Sequence, residues 1–172
     1  MPKIIDNLEE NILSAARRLV AEQGYAAVTM RAVAKECGIA VGTFYNYYPS
    51  KDAMLAACLL HDWQAALAAA GERTAAARSA KEAVEAVFDA VRAFQEQNRS
   101  IFSDDGARSS AAGALQKRHA QLRAQVAALL EEPCRRFSDV PDSAFLAEFT
   151  VESILSWSGT DISFPQLWTL LE

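Results

Sequence analysis

Gly24, Gly38 and Pro49 cut the start of the chain into one long segment and two short ones, and this punctuation limits the possible folds more than any other feature. Leu8, Ile12, Ala15, Ala16 and Leu19 recur at helical spacing while Arg17, Arg18 and Glu22 fall on other faces, so the first segment is an amphipathic helix. Gly24 is suited to end it, because glycine tolerates the left-handed conformation found at many helix ends. Thr29 is placed to cap a second helix that runs through Cys37 and stops at Gly38. A third spans about Val41 to Tyr47 until Pro49 breaks it, and Ser50 caps a long fourth helix to about Ala70.

The rest of the chain is also helical, and no stretch alternates with the period of a strand. Val84, Val87, Phe88, Val91 and Phe94 make the buried stripe of a fifth helix. Residues Ser103 to Gly113 read as a loop with room for one short helical turn. Leu115, His119, Leu122, Val126 and Leu129 step by three or four residues along a long helix that Pro133 bends or ends. After Pro141, Phe145, Phe149, Ile154 and Leu155 mark a helix to about Trp157, and a short last one starts near Pro165 with Leu167, Trp168 and Leu171. The expected fold is all-α, about nine helices in total, divided into a three-helix head over residues 1–51 and a helical bundle over 52–172. There is no internal repeat, although Ala65 to Ala77 approaches low complexity.

With 51% hydrophobic and 23% charged residues in 172, the chain can bury a sizeable core and is not disordered. No apolar run is expected to approach the roughly 18–20 residues of a membrane span. The opening Met1-Pro2-Lys3 does not read as a signal peptide, so no membrane partner and a cytoplasmic setting are expected. Cys37, Cys58 and Cys134 form no CxxC pair; they read either as buried free thiols or as a redox-sensing group. The net charge of −5 argues against a nucleic-acid partner until its distribution is considered. Residues 1–51 carry Lys3, Arg17, Arg18, Arg31, Lys35 and Lys51 against Asp6, Glu9, Glu10, Glu22 and Glu36, so this end is slightly positive and the remainder strongly negative. That asymmetry permits contact with DNA at one end and disfavours it elsewhere.

The order long, short, short is that of a helix-turn-helix head, whose third helix must show its exposed side chains to the base edges. Val33 and Ile39 can plug the angle between the two short helices, and Phe44 supplies the inward anchor. Val41, Gly42 and Tyr45 fall outward, with Gly42 leaving backbone free to approach the groove. Thr29 offers a hydroxyl beside the amide-rich start of a helix, and Thr43, Tyr47 and Tyr48 can donate to phosphate oxygens, with packing of Tyr45, Tyr47 and Tyr48 against the fourth helix as the alternative. Lys51, in the first turn of the fourth helix, opposes the helix dipole and so needs an outside reason, such as a phosphate. Base contacts would fall to Arg31, Val41 and Tyr45.

The runs Ile12–Ala16, Gly24-Tyr25, Thr29-Met30-Arg31, Val33-Ala34, Gly38 to Tyr48 and Ser50-Lys51 together resemble the head of the tetracycline-repressor (TetR/AcrR) family, over about residues 8–60. The resemblance implies an all-helical homodimer that binds double-stranded DNA at a palindromic operator, with a variable C-terminal domain that takes a small-molecule effector. The expected mode is repression with release by the ligand. By position, Thr29, Thr43, Tyr47 and Lys51 take phosphate roles and Arg31, Val41, Gly42 and Tyr45 base-proximal ones; Ala40, Asn46 and Tyr48 complete the expected DNA-binding set. Ala40 departs from the family, which often has Ser there, and losing a Ser cap costs about 1 kcal/mol. The chain is also short for the family.

His61, Trp63, Phe88, Phe94, Phe102, His119 and Trp157 read either as an effector pocket between helices or as ordinary core. Phe145, Phe149, Glu152, Leu155 and Trp168 read as a dimer interface, or as packing within one chain. Cys58 lies one helical turn before His61, but two ligands do not complete a metal site, so no metal or cofactor is expected. No nucleophile elbow or phosphate-binding loop frames a catalytic group, and no enzyme is expected. A helical interaction module without DNA affinity is the remaining alternative.

Overall fold

A computed structural model describes residues 7–103, 119–137 and 142–171. Its helices are α1 (Leu8–Gln23), α2 (Met30–Glu36), α3 (Val41–Tyr47), α4 (Lys51–Ala76), α5 (Ala80–Gln97), α6 (Arg99–Ser103), α7 (His119–Phe137), α8 (Ser143–Trp157) and α9 (Phe164–Leu171). Among the described residues there is no strand, and the all-α expectation holds. The loop expected from Ser103 to Gly113 lies, beyond its first residue, outside the described residues, as do Leu115 and Pro141.

The helix ends follow from local chemistry. Gly24 adopts φ 78° and donates its N–H to the Val20 carbonyl, closing α1. Ser50 Oγ accepts from Ala53 N at 3.1 Å at the start of α4, Ser79 Oγ does the same for Glu82 N before α5, and Asp142 Oδ1 accepts from Phe145 N at 2.9 Å at the start of α8. One end differs from expectation, and at Pro133 the helix does not end. α4 runs on to Ala76, because its alanine-rich second half is the best helix-forming composition available. Pro133 lies inside α7, which continues to Phe137: one missing N–H does not end a helix whose inward face is already packed.

The chain forms two compact units, with α4 running from one into the other. Of the described residues, the first comprises 7–61 and 98–103. Here α1 packs on α2, α2 on α3, and α6 on α1. Ile12, Leu13, Ala16, Val28, Val33, Phe44, Met54, Leu55 and Leu59 are its buried interior. Of the described residues, the second comprises 62–97, 119–137 and 142–171. Its core joins Val84, Val87, Phe88 and Val91 of α5 to Val126 and Leu130 of α7, Val151 and Ile154 of α8, and Phe164 and Leu167 of α9.

The expectation about apolar runs needs amending. By length and composition alone α4 could cross a membrane, with a best window of mean hydropathy 1.3. Leucines scattered among alanines supply that hydropathy, so no continuous block of large aliphatic residues announces it. Its buried positions nevertheless fall at 54, 55, 58, 59, 62, 63, 70 and 74, the one-sided stripe of a core helix.

Candidate nucleic-acid interface

The head is built around the turn from α2 to α3. Thr29 sits in extended backbone at the start of α2, and its Oγ1 accepts from Ala32 N at 3.1 Å. Its side chain is therefore both the cap and an exposed hydroxyl. At the other end of α2, Gly38 takes φ 66° and gives its N–H to the Lys35 carbonyl at 3.1 Å. Ile39 N then reaches back to the Ala34 carbonyl at 3.0 Å, completing a paired helix stop of the Schellman type. A side chain at Gly38 would meet nothing within 4 Å, so it is the positive φ, not crowding, that calls for glycine. Ile39 is half-buried and Val33 fully buried, as the plug of the turn requires.

α3 starts at Ala40, which has the extended backbone of a cap residue and no side-chain cap bond. Of its seven residues only Phe44 is buried, at 0% exposure. The Phe44 ring meets Tyr45 edge-on at 6.4 Å and Tyr48 at 6.0 Å. Gly42, Thr43, Tyr45, Asn46 and Tyr47 face outward, with Tyr45 51% and Tyr47 43% exposed, and Val41 is half-buried. Arg31 and Lys35 are exposed on α2. Lys35 was not among the expected contacts, although its charge and exposure match those of Arg31. Arg18 of α1 pairs with Glu36.

Two expected contacts are placed differently from their neighbours. Tyr48 is buried, and its hydroxyl donates to Glu9 Oε1 at 3.1 Å, so it is turned into the head rather than toward a phosphate. Burial, with the bond to Glu9, raises its phenol pKa above the ordinary value. Lys51 Nζ donates to the Tyr25 carbonyl and lies 3.8 Å from the centre of the Tyr25 ring. The cation at this helix start thus has a reason within the chain.

The residues expected around an effector are divided between the two units. His61 is exposed in the first unit, where its Nδ1 accepts from Arg17 Nη2 at 2.9 Å, and half-buried Phe102 belongs to that unit too. In the second unit Trp63 and Phe94 meet edge-to-face at 5.2 Å, and Trp63 Nε1 donates to Gln125 Oε1 at 3.2 Å. Phe88 packs on Phe164 at 5.6 Å. Trp157 is exposed, and His119 opens α7. Trp63, Leu67, Ala70, Val91, Val126 and Leu129 border a cavity of about 10 Å³, space for about one water. Phe145, Phe149 and Glu152 are exposed on α8, and Leu155 and Trp168 are half-exposed. Glu152 pairs with Arg123 of α7. Among the described residues no three His, Cys, Asp or Glu side chains gather as a metal site.

A glycine-stopped pair of short helices, anchored by one phenylalanine and showing hydroxyl and aromatic groups outward, defines a helix-turn-helix protein. Residues 12–58 match the family described as bacterial regulatory proteins, tetR family. The HTH-type transcriptional regulator UidR of Escherichia coli K12 is 42% identical over 57 residues, which are 33% of this chain and 29% of that protein. The HTH-type transcriptional repressor KstR of Rhodococcus jostii is 44% identical over 55 residues, 32% of this chain and 26% of that protein. The matched segment thus spans under a third of these relatives. The fold likeness is wider: a transcriptional regulator from Cytophaga hutchinsonii superposes with a TM-score of 0.73 at 13% identity, covering 96% of this chain and 93% of the other.

Proposed function

We propose that this chain is a DNA-binding transcription regulator that seats α3 in the major groove. The observation that carries the proposal is α3 itself. A seven-residue helix held by one buried side chain gives nearly its whole surface to solvent, and that surface is rich in hydroxyl and aromatic groups. Thr29, Thr43 and Tyr47 would donate to phosphates and set register. Arg31, Val41, Gly42 and Tyr45 would lie nearest the bases, with Asn46 beside them.

The regulator would act as a homodimer on a palindromic site, its two α3 helices entering major grooves about 34–36 Å apart. The exposed phenylalanines of α8 support a partner surface. Repression is supported by the description of KstR as a repressor. Release by a small-molecule effector would require the ligand to favour a dimer in which that spacing is lost. The second unit's apolar interior, about one water wide between α4, α5 and α7, would have to open to admit such a ligand. Work on chromosomal DNA would place the protein in the cytoplasm.

Gel-shift selection from random-sequence DNA tests the proposal. A recovered twofold-symmetric consensus, bound less tightly as salt rises, is expected. Recovery of no consensus would refute it, and would favour the interaction module.

A further inference from the structure

We infer that Lys51, Tyr25 and Asp52 form a clamp that positions the start of α2 for DNA, and that Lys51 serves as a positioning residue through Tyr25 rather than as a phosphate ligand. The inference rests on the DNA-binding reading above. Tyr25 is held at both ends by consecutive residues of one helix. Its carbonyl and ring face meet Lys51 Nζ, and its hydroxyl donates to Asp52 Oδ1 at 2.6 Å. The same carbonyl also accepts from Val28 N at 3.3 Å, closing the turn that delivers Thr29 to the cap of α2. Both Tyr25 and Val28 are buried. The α1–α2 connection is therefore fastened to the first turn of α4 at the point where α2, with Arg31 and Lys35, begins.

The charges support this assignment. A cation in a first helical turn is opposed by the helix dipole, whereas an anion is favoured there. Lys51 offsets that disadvantage with a carbonyl and a π face, and Asp52 combines a favoured position with a hydrogen bond. Each acts on Tyr25, and a change in either should move the Thr29 end of α2.

The test uses the whole chain and a duplex that the wild type selects from random-sequence DNA, with affinity measured across a salt series and melting followed for each variant. Lys51→Met should bind about tenfold more weakly, with the slope of log affinity against log salt unchanged. A lost phosphate contact would instead reduce that slope by about 0.9. Lys51→Arg, which keeps a donor and a cation over the ring, should restore near wild-type affinity. Asp52→Ala discriminates further. Removing an anion from the head should tighten DNA binding if charge alone matters, but the clamp requires it to weaken binding several-fold. A reduced slope for Lys51→Met, or unchanged or tighter binding by Asp52→Ala, overturns the clamp while leaving DNA binding intact. If Lys51→Met does not fold, Asp52→Ala decides the matter alone. If the wild type selects no duplex, the DNA-binding reading fails and the clamp's purpose fails with it.

Discussion

The Tyr48 hydroxyl sits 3.1 Å from Glu9 Oε1 inside the head, and burial together with that bond raises its pKa above the ordinary 10.0. The native state therefore holds the phenolic proton more tightly than the unfolded chain does. That stabilisation is complete below about pH 10, the unfolded value, and is lost as pH rises through the unfolded pKa toward the raised native one. Tyr48→Phe should cost about 1 kcal/mol at neutral pH, from the missing bond and the unpaired Glu9. The gap between the two proteins should then narrow in alkali. Urea unfolding midpoints on either side of pH 10 check this, and parallel curves for the two proteins would contradict it. Whether Tyr48 faces outward or packs inward is open in the sequence, for a definite reason. It lies just past the end of α3 with φ −133° and ψ 113°, where helical periodicity no longer says which way a side chain points. Phe44, in mid-helix, was legible as the anchor because that periodicity does apply there. The inward role of Lys51 is hidden in the sequence because its partner, Tyr25, lies 26 positions earlier and no local pattern links the two.

At the scale of elements, the short helices were readable because their ends are written in residue types. Gly38 provides a positive φ, Pro49 forbids continuation, and Thr29 and Ser50 accept the bonds that open α2 and α4. The far end of α4 lacked such punctuation, and the alanines that looked like low complexity proved to be helix. Two substitutions at the turn should act in opposite directions. Gly38→Ala keeps ample space but forces an L-residue to φ 66°, and should destabilise by about 1–2 kcal/mol. Ala40→Ser places a hydroxyl at an uncapped start whose backbone is already extended, and should stabilise by about 1 kcal/mol. Denaturant titration reads both. A stabilised Gly38→Ala would mean that the turn does not hold a left-handed residue at position 38.

At the scale of the whole molecule, the sequence matches to UidR and KstR span about a third of the chain, while the fold likeness to the Cytophaga regulator extends over nearly all of it. A DNA-reading surface needs particular residues at particular spacings. A helical bundle needs only apolar stripes, which many sequences supply. The same difference explains why the aromatic residues of the second unit could be read either as core or as pocket. Trp63, Phe88 and Phe94 satisfy the spacing of both, and only packing assigns Phe88 to Phe164 and Phe94 to Trp63. On α8 the ambiguity falls the other way. Phe145 and Phe149, one helical turn apart, are 66% and 53% exposed, so packing within the chain does not account for them. Arg123 reaches both Glu148 and Glu152 from α7, bracing the helix that carries them. If this face joins two copies, replacing both phenylalanines with glutamate should leave the fold intact, since neither is buried in the protomer. It should also convert a dimer into a monomer in sedimentation. Each head would then bind alone, and operator affinity should fall by about 100-fold or more as the second contact ceases to be intramolecular. A double variant that still sediments as a dimer would place the interface elsewhere, whereas a monomer with undiminished affinity would show that one head is sufficient.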